Sequence, residues 1–363
     1  MAIRIRDYCI SATLLATTVA SAGDFAYRSD PDCLPNRVRE TLFPTPDCAI
    51  DRSAPAMHGP FSMEFFWSDK LEYTVDLKYI NDLGPSDTLS LEFDIGTKEF
   101  RFATTWGHAF TNDLFYKSSL DYLAQKTEFN FLSGSDELRP WIGQWAFGTD
   151  LRYRLANQLG VDSVHIAFEY INAEDLDLVS KPFSMGGPIL TNRRALRGVE
   201  DISGILGFRA QPWNSGYFDI DLIYDGVSYN RIYSPPNNEF GLGGAIAYHQ
   251  NLGESFQFVL SGTDRKLYYE YIAGFKYIAR HSTGSLLELG IEFSVDGNDD
   301  AAFGRENKVG IGLFYSWGGD MYAPPVIYAH PLNRGLRQEV LDYTAEPVIR
   351  TPQVLVRADE TFD

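Results

Sequence analysis

Beyond residue 22 this sequence has no long uninterrupted apolar run, which excludes a protein that crosses a membrane on α-helices. Cysteine is nearly missing: Cys9, Cys33 and Cys48 are the whole supply. No histidine lies close in sequence to Cys33 or Cys48, so neither belongs to a zinc motif. Basic residues are short of acidic ones, 31 Lys and Arg against 49 Asp and Glu, a net charge of −18. That balance argues against nucleic acid as a partner. Nothing in the sequence implies a metal or a cofactor.

Aromatic residues are abundant. They make up 14% of the chain, with 21 Tyr and 25 Phe. Mean hydropathy is still only −0.21. Both values follow from one pattern, a period of two between Met63 and Trp317. Leu267, Tyr269, Tyr271, Ala273, Phe275 and Tyr277 alternate with residues that include Glu270 and Lys276. Leu287, Leu289, Ile291 and Phe293 alternate with Glu288, Gly290 and Glu292. Alternation of this kind sets one face of a strand apolar and the other polar. A soluble sandwich buries its apolar faces in a core. A transmembrane barrel turns them to lipid and its charges to a lumen.

The N-terminus favours the barrel. Arg4 and Arg6, an apolar stretch from Tyr8 to Val19, and Ala20-Ser21-Ala22 read as a signal peptide over residues 1–22. Cys9 leaves with it. Residues 23–58 form a periplasmic extension in which Cys33 and Cys48, each in a Pro-Asp-Cys setting, are expected to form one disulfide. Closing that loop stabilises by roughly 3 kcal/mol in the chain-entropy model.

Residues 59–317 are expected to form an antiparallel transmembrane β-barrel of about fourteen strands, the first over Pro60–Trp67; twelve is the alternative. Long connections fall near 126–140, 172–199, 231–238 and 296–306, with short ones mostly between them, as in barrels with short periplasmic turns. Aromatic crowding at segment ends suits interfacial girdles. Residues 318–363 are a C-terminal periplasmic tail or plug, with a helix expected over Asn333–Ala345 and an extended Val348–Val356.

These segments resemble Gram-negative outer-membrane β-barrel proteins over Met63–Trp317. Trp106-Gly107-His108-Ala109-Phe110, Tyr122-Leu123-Ala124-Gln125-Lys126 and Pro352-Gln353-Val354-Leu355-Val356 look like uncharacterised barrels of intracellular bacteria related to legionellae and chlamydiae. Glu346-Pro347-Val348-Ile349-Arg350 is faintly similar to the segment after the barrel of inverse autotransporters. The long passenger of repeated domains those proteins carry is missing here.

The expected lumen lining is of both signs: Asp76, Glu92, Arg101, Asp150, Arg152, Arg154, Glu169, Asp219, Asp221, Glu270, Lys276, Glu288 and Glu292. A water-filled pore tuned by wall charge and an interior of charges packed shut are the two readings. Ser163, His165 and Glu169 share one strand face, yet residues two apart are separated by about 6.6 Å of rise, and no nucleophile elbow accompanies them. Arg193, Arg194 and Arg197 offer phosphate contacts to lipopolysaccharide. The leading expectation is a porin-like channel in the bacterial outer membrane for small solutes or ions, bounded by lipid and lipopolysaccharide. A surface or envelope interaction protein with a filled barrel is second, its tail holding a periplasmic partner. A lipid-modifying enzyme is third.

Overall fold

The computed structural model describes most of residues 61–317, the pair Tyr343–Thr344, and residues 354–362. The signal peptide, the Cys33–Cys48 pair and most of the expected tail helix lie outside the described residues, as do 127–139, 184–189, 230–237, 299–305, 318–342 and 345–353.

Seventeen strands are described. They are β1 (Phe61–Ser68), β2 (Glu72–Asp82), β3 (Asp87–Gly96), β4 (Glu99–Ala109), β5 (Leu114–Lys126), β6 (Trp141–Gln158), β7 (Val161–Ala173), β8 (Leu176–Asp177) and β9 (Lys181–Phe183). There follow β10 (Leu190–Trp213), β11 (Gly216–Tyr229), β12 (Asn238–Leu252), β13 (Phe256–Asp264), β14 (Tyr268–His281), β15 (Ser285–Asn298), β16 (Glu306–Trp317) and β17 (Val356–Phe362).

Fourteen of these close an antiparallel barrel: β1–β7 and β10–β16. β7 pairs with β10, and β1 joins β16 with Phe61 opposite Trp317. The wall therefore has no open edge, and its backbone groups are paired from strand to strand. The expected first strand is β1.

The alternation sorts as expected. Phe65, Trp145, Ile166, Leu222, Phe275 and Phe293 are all more than 40% exposed on the outer face. Between them, Lys117, Asp150, His165, Glu169 and Asp221 are buried inside. Large apolar groups outside and charges inside make an outer surface suited to hydrocarbon, the arrangement of a membrane-spanning barrel.

One connection differs from its expected form. Instead of a loop over 172–199, β10 starts at Leu190 and runs 24 residues, well past the wall. Its extension pairs with β8 and β9, and also with β17 from the far end of the sequence. None of these three partners was visible as an alternating segment. β8 and β9 are only 2 and 3 residues long, and β17 pairs across about 160 positions of sequence.

The barrel has a near end, where β1 begins and β16 stops, and a far end, where β10 projects. β17 sits at the far end, while β16 leaves the wall at the near end. The described tail residues in between contact inward-facing side chains of β5 and β6. Tyr343 and Thr344 thus lie in the near half of the lumen and Val354 and Leu355 in its far half.

Candidate functional site

The inner wall of β2–β5 carries a ladder of ion pairs. Lys78 reaches Glu92 at 3.0 Å, and Arg101 reaches Glu92 at 2.8 Å and Asp121 at 2.6 Å. Asp94 stands 3.6 Å from Arg101. Asp76 lies directly opposite Asp94 across β2 and β3. Farther round, Arg209 holds Asp219 at 2.7 Å. His165 Nε2 faces Asp221 at 3.2 Å, both side chains buried. The register pairs Arg152 with His165 and Arg154 with Ser163 between β6 and β7. Glu270, Lys276 and Glu292 take inward positions on β14 and β15, where Gly274 pairs with Glu292 and Lys276 with Gly290. Glu288 pairs with Ile278 on one side and Phe314 on the other.

Glu169 belongs to a second cluster, whose hub went unnoticed in the sequence. Arg265, in the short β13–β14 connection, turns inward and is buried. Its guanidinium donates to Glu169 at 2.8 Å, Asp201 at 3.1 Å and Asp225 at 2.7 Å, and also to the Ser203 hydroxyl. The backbone N–H of Lys266 donates to Asp225 at 3.1 Å. One cation thus ties β7, β10 and β11 to a turn on the other side of β12. β12 permits this because Gly243 has no side chain: a Cβ there would collide with the Asp264 carbonyl. The available signal was a lone arginine in a tight turn, with inward acids left over on three strands.

Described residues of the tail lie in the lumen beside these groups. In the near half, the Tyr343 hydroxyl donates to Asp150 at 2.9 Å, and Lys117 donates to the Tyr343 carbonyl at 3.0 Å. The Tyr343 ring lies 4.3 Å from the Lys117 ammonium and 4.6 Å from the Arg152 guanidinium, within cation–π range. Thr344 bonds Thr88 and rests on Gly107. In the far half, the N–H groups of Val354 and Leu355 donate to the side-chain carbonyls of Gln125 and Gln144, each at 2.8 Å. Leu355 is 1% exposed and packs with Ala146, Ile171, Val199, Val227 and Tyr268. Val354 and Val356 pack with Leu123, Ile142, Ala173 and Leu196. These inward apolar residues form a core around the described tail residues.

Two further candidates are not assembled. Ser163 is buried with a hydroxyl that has no hydrogen-bond partner, so it makes no bond to His165 and no nucleophile is activated. Arg197 is buried and bound to Asp177 at 2.8 Å, which withdraws it from lipopolysaccharide. Arg193 and Arg194 stand on the β10 extension opposite Thr361 and Glu360 of β17.

No family model matches the chain, and no curated protein matches it. Among solved structures it is similar to the CymD monoaromatic hydrocarbon channel, with 11% identity, a TM-score of 0.41, and coverage of 71% of this chain and 87% of that one. The toluene transporter TodX of Pseudomonas putida gives 11% identity and a TM-score of 0.42 over 71% of this chain and 87% of that one. The toluene transporter TbuX of Ralstonia pickettii gives 10% identity and a TM-score of 0.42 over 70% and 88%. This chain is similar to them as one β-barrel is to another.

Proposed function

We propose that this chain is an outer-membrane channel for small solutes or ions, with its own C-terminal tail seated against one side of the lumen. The observation that carries the reading is the contrast between the two sides of the interior. The described tail residues pack mostly against β5–β7, β10 and β11, with further contacts from Thr344 to β3 and β4 and from Leu355 to Tyr268 of β14. On β14 and β15, past Tyr268, inward positions include both charge and bare glycine. A Cβ on Gly274 or Gly290 would meet nothing nearer than 3.7 Å. The side chains of Lys78, Glu92 and Arg101 keep 20%, 18% and 25% of their surface accessible. A passage along that wall has charge to tune ion flow, and its excess of acid favours cations.

The expected signal peptide and the short near-end turns support a near end in the periplasm and a β10 extension outside. Lipid, and lipopolysaccharide in the outer leaflet, face the apolar belt. A periplasmic protein is the partner proposed for segment 318–342, beyond β16. Among the described residues Ser163 and His165 form no catalytic pair, and we propose a channel rather than an enzyme.

A second reading, a surface or envelope interaction protein with a filled barrel, is favoured by one observation: β17 pairs with β10 beyond the wall at the far end. The faint likeness of Glu346–Arg350 to inverse autotransporters belongs with it.

Planar-bilayer conductance separates the two. The full chain should give small, steady, cation-selective openings, larger when the chain is cut after Trp317. Silence from both forms, each heat-modifiable and folded, would leave the filled barrel as the function's scaffold.

A further inference from the structure

The inner wall of β1–β4 near the far end holds more acid than its bases neutralise. Glu64 lies opposite Asp76, and Asp76 opposite Asp94. Glu92 shares the inward face of β3 with Asp94. Asp121 joins them through Arg101. Five carboxylates therefore stand around two cations, Lys78 and Arg101, and both cations are already bound to Glu92.

Two oxygens in this patch are left without a donor. Asp94 is 8% exposed, and its Oδ1 is buried with no hydrogen bond. The Oδ1 of Asp76, across the strand pair, is in the same condition. A buried carboxylate oxygen loses its hydration and needs something in return. Among the described residues no N–H or hydroxyl meets either oxygen, which leaves a bound cation, or a proton shared between the two carboxyls, as the compensation.

The spacing suits an ion. One oxygen from each of Asp76, Glu92 and Asp94 lies within 4.8 Å of the others. Two oxygens held at about 2.3–2.6 Å from a central calcium ion can stand up to about 5 Å apart, so this spacing is within reach of one ion. Carboxylate oxygens are hard ligands of the kind Ca²⁺ and Mg²⁺ take, and the flexible coordination of Ca²⁺ tolerates a site built on one wall and completed by water. Asp94 is two residues from the end of β3, so the site lies near the far end.

We propose that Asp76, Glu92 and Asp94 bind a divalent cation of the calcium type in the barrel lumen. The ion offsets the surplus acid and bridges β2 to β3. The site stands on wall residues alone and does not depend on whether the barrel conducts.

The test is calorimetric titration of CaCl₂ into the full-length barrel at pH 7, after removal of lipopolysaccharide and treatment with EDTA. One Ca²⁺ per barrel is expected. Asp94→Asn and Asp76→Asn should each weaken binding at least about tenfold, the scale on which damage to a metal site acts. Asp219→Asn, at an ion pair elsewhere on the wall, should leave binding unchanged. Heat-modifiable migration reports folding, and Glu92→Gln replaces any variant that fails it. A Ca²⁺-dependent rise in the wild type's melting temperature is the second expected readout. No saturable Ca²⁺ uptake by the wild type overturns the proposal, as does uptake unchanged in the folded variants. Asp76 and Asp94 would then share a proton instead.

Discussion

The Tyr343 hydroxyl donates to a carboxylate oxygen of Asp150 at 2.9 Å, across 193 positions of sequence. That bond fixes the tail to the wall in the near half of the lumen, with the Phe115 ring 6.0 Å from the tyrosine ring. Tyr343→Phe keeps the ring and its cation contacts and removes the hydrogen bond. Losing a bond to a charged acceptor costs about 1.5–3 kcal/mol. The loss falls on tail docking, because the wall's own ladder is untouched. Amide exchange over residues 343–355 should accelerate while β14–β16 keeps its protection. Unchanged exchange in the tail would mean that the anchor lies elsewhere.

The outer face of this barrel was legible because lipid imposes one rule on every strand. Phe275 and Phe293 are outward for the same reason, and each strand repeats the signal locally. Fourteen closing strands followed. The filling of the lumen was not legible. Inward Ala146, Ile171, Val199 and Val227 interrupt the charges on their strands, but their partner, Leu355, comes from a tail with no alternation of its own. Arg265 was hidden for a related reason. Its acids lie 40, 64 and 96 positions away, and no local pattern links them.

Arg265→Met should be the most destabilising single change in the lumen. Glu169, Asp201 and Asp225 are each 2% exposed or less and would lose their shared counter-ion. Breaking a buried ion network by removing one partner costs about 3–5 kcal/mol. Urea unfolding in bilayers should show that loss. Arg265→Lys should recover only part, since an ammonium lacks the planar fork that reaches several carboxylates. Added salt should change the wild-type value little, because the network is shielded from solvent. A loss under about 1 kcal/mol for Arg265→Met would mean that the acids find other partners.

Phe275 is 42% exposed on the outer face of β14, near mid-strand. Phe275→Arg places a charge against hydrocarbon and should cost about 2–4 kcal/mol at the membrane midplane. The same change at Tyr277, closer to the near end, should cost less. Equal stability of the Phe275 variant after correct insertion would reverse the assigned facing of β14.

Gly107 tests the tail from the side of the wall. A Cβ there would collide with Thr344 and also crowd the Thr88 hydroxyl at 2.8 Å. β4 is paired along its length to β3 and β5, so the wall yields less readily than the tail. Gly107→Val should therefore expel Thr344, and with it the Tyr343 anchor, at an overpacking cost of about 1–3 kcal/mol. Conductance should rise toward that of the chain cut after Trp317, with heat-modifiable migration unchanged. Because Gly107→Val and Tyr343→Phe act on one docked segment, their combined effect on tail exchange should fall short of the sum. Full additivity would mean that the near-half contacts dock independently, and that the tail is held chiefly by Leu355 and the β10–β17 pairing.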